Sequence, residues 1–130
     1  MPDTLEAIRQ AVAVGDAGAR ERLRVAVEGR RDAVGGHLEW ARVCEAAGEF
    51  GLALSEYQLA LRDDAHDVAA LGRLVELLEE RGDLERAIQY AERLVAEVPA
   101  DEQALEMLVR LLVATEAFGR VREELDRARA

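Results

Sequence analysis

AGEFGLALSEYQLAL, residues 47–61, sets Ala53, Tyr57 and Ala60 on one helix face just after Gly48. Their spacing is that of an α-helix, and the face is narrow. Small residues there let a second helix approach to the ~8 to 10 Å of close helix packing. Gly48 can adopt the positive φ that ends a helix without steric cost. The stretch therefore predicts a helical hairpin in which one helix stops at the glycine and the next returns along it.

The same pattern recurs at a period of 34. RGDLERAIQYAERLV, residues 81–95, places Gly82, Leu84 and Ala87 where Gly48, Phe50 and Ala53 stand. EAFGRVREELDRARA, residues 116–130, puts Phe118, Val121, Leu125 and Ala128 at the positions of Phe50, Ala53, Tyr57 and Ala60. One period earlier the frame meets Ala19, Leu23, Ala26 and Val27. The preceding helix repeats too: His37, Trp40, Ala41 and Cys44, then Leu71, Leu74, Val75 and Leu78, then Leu105, Leu108, Val109 and Leu112. Each set is spaced i, i+3, i+4, i+7 and predicts a core-facing stripe. Leu5, Ile8 and Val12 form a similar stripe displaced by one residue.

With this period and these positions the chain resembles the tetratricopeptide repeat family, built from 34-residue helical hairpins. The resemblance implies an all-α, right-handed solenoid of about eight helices in one domain. Its units are a degenerate first hairpin at 1–33, repeats at 34–67 and 68–101, and a terminal capping repeat at 102–130. The expected helices run over 4–14, 17–29, 37–47, 50–62, 67–81, 84–97, 101–115 and 118–129. Departures from the family pattern are Trp40 one turn late, Ala65 in place of proline, Val121 for alanine and Glu116 for the turn glycine.

Composition agrees with helices and narrows the function. Half the 130 residues are hydrophobic but only 4% are aromatic, which predicts an aliphatic, alanine-rich core. The net charge of −10 repels phosphate backbones and anionic lipid surfaces, so neither nucleic acid nor membrane is an expected partner. Residues 1–33 hold six acidic and six basic side chains, leaving the whole excess on 34–130. One cysteine, and a start without an apolar run, point to a cytoplasmic protein. All 17 basic residues are arginine, with no lysine or asparagine, which suggests a G+C-rich bacterial genome.

The inventory offers no catalytic residues, cofactor or metal. Ser55 is the single serine, and neither His37 nor His66 falls within hydrogen-bond reach of it in the expected hairpins. His66 lies among Asp63, Asp64 and Asp67, but acidic residues in such a turn serve as helix caps. Cys44 reads as an inert core thiol and Trp40 as a core residue.

In the family, the side of each first helix turned away from the core lines a groove that receives a peptide. Here that side implies Leu38, Glu39 and Arg42, then Arg73, Glu76, Glu79 and Glu80, then Glu106, Met107 and Arg110, an acidic centre with an arginine on either side. Like charges at i, i+3 and i, i+4 cost a few tenths of a kcal/mol each without evident structural return. Members of the family that clamp acidic chaperone tails use lysines and asparagines, which this chain lacks. The reading is a non-enzymatic adaptor, scaffold or chaperone-like module for a partner with basic residues. The alternative is a self-assembling solenoid or rigid subunit of a larger complex. Arg122 and Arg129, where other hairpins carry apolar residues, read as a charged cap.

Overall fold

A computed structural model describes residues 4–129, without the side chains of 117, 118, 120, 121, 124, 125, 128 and 129. All regular structure among the described residues is helical. The helices are α1 (Leu5–Ala13), α2 (Ala19–Gly29), α3 (His37–Ala46), α4 (Phe50–Asp63), α5 (Val68–Glu80), α6 (Leu84–Glu97) and α7 (Glu102–Arg129). The chain forms two compact units, residues 1–70 and 71–130, and the division falls within α5.

Side-chain caps start several of these helices where the sequence supplies a short polar residue. Thr4 Oγ1 accepts from the Ala7 N–H, Asp67 from Ala70, Asp83 from Arg86, and Asp101 from Gln103 and Ala104. Glycines stop them. Gly48 has φ 76° and Gly82 φ 79°. After each, the next N–H reaches back five residues: Glu49 to the Cys44 carbonyl and Asp83 to that of Leu78, both at 2.9 Å.

In the first unit α4 packs along α3, and α1 packs against both α2 and α3. Ala53, Tyr57, Ala41 and Cys44 are fully buried, as are Ile8 and Leu23. Gly48 has a second constraint. A Cβ there would stand 2.6 Å from a guanidinium nitrogen of Arg20, whose Nε donates to the Ala47 carbonyl at 2.8 Å. Arg24 joins it by donating to Glu49 at 2.8 Å, tying α2 to the α3–α4 turn. Trp40 is buried as expected, with the Arg30 guanidinium 5.3 Å from its ring.

In the second unit α6 packs on α7. Leu71, Leu74, Val75 and Leu78 are buried, as the spacing predicts, and so are Ala87, Ala91 and Leu94. The end of the chain departs from expectation. Helices foreseen at 101–115 and 118–129 are one unbroken helix, α7, so the described residues hold seven. Glu116 is the reason: it occupies the place where Gly48 and Gly82 take positive φ, and glutamate favours continuing a helix over turning. The core stripe foreseen on this helix is corrected with it. Ala104 and Leu111 are buried, whereas Leu105, Val109 and Leu112 are exposed.

Arg122 is exposed, beside a groove of about 520 Å³ that it shares with Glu85, Ile88 and Glu92 of α6. The side chains of Phe118, Val121, Leu125, Ala128 and Arg129 lie outside the described residues. No helix among the described residues is long and apolar enough to cross a membrane.

Candidate functional site

Because α5 buries Leu71, Leu74, Val75 and Leu78, its other side carries Arg73, Glu76, Glu79 and Glu80. These charges are not left to solvent alone. Arg73 pairs with Glu76 one turn along the helix. Arg110 reaches across from α7 and donates twice to Glu79, Nε to Oε2 at 2.9 Å and Nη2 to Oε1 at 2.8 Å. This two-pronged bond, with the Arg110 charge behind it, holds the Glu79 carboxyl below the usual range. Glu76 and Glu106 also act on Arg110 electrostatically and help to hold its guanidinium charged. Arg110 therefore sits on the acidic centre rather than flanking it, which gives the clustered glutamates a structural return.

Glu80 and Glu106 are exposed and make no ion pair with another described residue. Met107 is half-buried, on the side of α7 that carries the buried Ala104 and Leu111. In the first unit, Leu38 of α3 is half-buried, while Glu39 and Arg42 are exposed.

The candidates for chemistry elsewhere are all occupied with structure. Ser55 Oγ donates to the Gly51 carbonyl at 3.3 Å, inside its own helix. Asp64 accepts from the His66 N–H at 3.0 Å and Asp67 caps α5. Burial, then the charges of Glu56 and Glu49, push the Cys44 thiol up to about 12. Among the described residues no group of three or more His, Cys, Asp or Glu is placed to hold a metal ion.

A pair that the sequence reading missed lies in the first unit. His37 Nδ1 is 2.5 Å from Glu56 Oε2, with both side chains buried, and His37 Nε2 is 2.8 Å from the Ala33 carbonyl oxygen. The signal was available: Glu56 falls at i+3 of the face formed by Ala53, Tyr57 and Ala60, opposite a histidine on the matching stripe. A carboxylate in a core stripe asks for a buried partner.

Two hairpin turns with the same backbone hydrogen bonds 34 residues apart lie within the region that a family model, Tetratricopeptide repeat, matches over residues 45–112. The chain belongs to the tetratricopeptide repeat family. Repeats of this family generally mediate protein–protein interaction and are typically non-enzymatic. The matched span begins near the end of α3, includes α4, α5 and α6, and ends in α7 after Arg110. Among curated proteins no significant match is found.

Proposed function

We propose that this tetratricopeptide repeat chain is a non-enzymatic adaptor that captures a protein or peptide partner bearing basic residues. The observation that carries the reading is the charged face of α5 and α7, where four glutamates stand against two arginines. Glu80 and Glu106 supply exposed negative charge, and Arg110 and Arg73 hold Glu79 and Glu76 in place beside them. Leu38, Glu39 and Arg42 have the same role on α3 by the 34-residue frame. Met107, being half-buried, contributes only an edge of apolar surface. The single cysteine, which has no disulfide partner in the chain, supports a cytoplasmic setting.

Exposed charge pairs are each weak, ~0 to 1 kcal/mol, so charge sets selectivity and rate more than affinity. The test is fluorescence anisotropy with two labelled peptides, one of alternating lysine and leucine, one of alternating glutamate and leucine. Wild type should bind the first, more weakly as salt rises, and ignore the second. Glu80→Arg with Glu106→Arg should keep the helical spectrum and lose most of that binding. Equal binding by variant and wild type at low salt would show that the face is only solvated.

A further inference from the structure

The 34-residue frame allows each position of α7 to be compared with its counterpart on α5. Two pairs agree: Ala70 and Ala104 are 0% and 3% exposed, and Leu77 and Leu111 are 2% and 0%. Three pairs disagree sharply. Leu71, Val75 and Leu78 are 0%, 0% and 1% exposed, whereas Leu105, Val109 and Leu112 are 41%, 57% and 47%. Val113 adds a further exposed apolar side chain to the strip. One side of this helix is thus packed as its repeat requires, and the other lacks its cover.

What covers such a strip elsewhere is the next stretch of the same sequence. In the 34–67 repeat, α3 buries His37, Trp40, Ala41 and Cys44, and α4, entered through Gly48, packs along it. The corresponding stretch here is 117–129, whose sequence keeps Phe118, Val121, Leu125 and Ala128 in the frame of Phe50, Ala53, Tyr57 and Ala60. It cannot reach its own strip, because α7 is continuous through Glu116. At a rise of ~1.5 Å per residue, residue 121 stands ~18 Å further along the axis than Val109.

We propose that the strip of Leu105, Val109, Leu112 and Val113 is covered by residues 117–129 of a second copy of the chain. A two-fold axis across paired α7 helices lets each copy give its cover and receive the other's, an exchange that requires no new interface chemistry. The cause is local: Glu116, where a glycine would turn the chain, keeps strip and cover on one rod. This inference does not rest on the partner-binding reading, which uses other residues of α7.

The test is light scattering on the full chain over a wide concentration range, with circular dichroism on every sample. Wild type should show twice the 14.3 kDa chain mass. Glu116→Gly, which restores the turn residue of the two earlier hairpins, should halve that mass with helicity retained. Val109→Asp should also halve it. Should Val109→Asp fail to fold, Glu116→Gly still decides. A wild type of single-chain mass at every concentration overturns the proposal, as does a folded Glu116→Gly variant that keeps the doubled mass.

Discussion

Nδ1 of His37 and Oε2 of Glu56 are 2.5 Å apart in a part of the first unit closed to solvent. Nε2 faces a carbonyl oxygen, which can only accept, so that nitrogen carries a hydrogen. Nδ1 and the Glu56 carboxyl then lie within hydrogen-bond distance, and each group satisfies the other. Breaking a buried pair of this kind from one side strands a polar group, whereas replacing both partners does not. His37→Leu should therefore destabilise the protein by about 3 to 5 kcal/mol. His37→Leu with Glu56→Met should recover most of that loss. A denaturant double-mutant cycle measures it, and additive losses would show that the two side chains are not coupled.

Cys44 gives a prediction in reactivity. With its thiol pushed up to about 12 from an ordinary value near 9.0, the thiolate fraction at pH 8 falls roughly a thousandfold. Folded protein should react with a thiol reagent at pH 8 only as fast as it opens, and in guanidinium at the rate of a free cysteine. Raising the pH from about 9 to 12 favours the unfolded chain, which ionises first, so stability should fall across that window. Cys44→Ala should lessen the fall. Rapid labelling of native protein at pH 8 would count against the buried placement.

Asp63 should respond at the acid end. The Gly35 N–H, donating to its carboxylate at 2.7 Å, is the main influence holding this carboxyl below the usual range. A depressed group stabilises the fold above its unfolded pKa, near 3.9, and that contribution is lost as pH falls through the folded value. Asp63→Ala should lower the melting temperature at pH 7 and have much less effect at pH 2. Equal losses at both pH values would remove the carboxylate from the account.

Arg110 competes with any basic partner for Glu79. The pair is solvent-exposed, so Arg110→Ala should cost at most about 1 kcal/mol of stability. It should also tighten capture of the lysine–leucine peptide, by up to about tenfold, because the carboxylate is released. Unchanged or weaker capture would place the peptide away from α5.

The hairpins were legible because glycine, small and apolar positions repeat in register, and the turn at Gly82 reproduces the backbone hydrogen bonds of that at Gly48. The last turn was misread because a turn was expected at Glu116 despite the missing glycine, when a residue that disfavours positive φ and favours helix removes it. That choice also left Leu105, Val109 and Leu112 exposed, which no stripe of spacing alone could reveal. For the charged face, helix periodicity placed Glu76, Glu79 and Glu80 on one side of α5. Their pairing with arginines depends on where long side chains reach: Arg110 comes from a helix 31 residues away. Glu56 was harder to read because a carboxylate at that position turns inward only where a partner receives it, and His37 lies 19 residues away on another helix.

The linker between α2 and α3 is fastened mostly by residues it does not contain. Ala33 offers its carbonyl to Arg62 and His37, and Gly35 its N–H to Asp63, while within the segment Ala33 donates to the Arg30 carbonyl and the Arg30 side chain to that of Gly35. Ordering of residues 30–36 must therefore wait for the far end of α4 to close on α3, a contact spanning 28 residues for Gly35 and Asp63. Arg30 and Arg31 are trypsin sites within that segment. The rate at which trypsin cuts there therefore reports how often the last turn of α4 lets go, making the linker a built-in gauge of fraying in the hairpin that follows it.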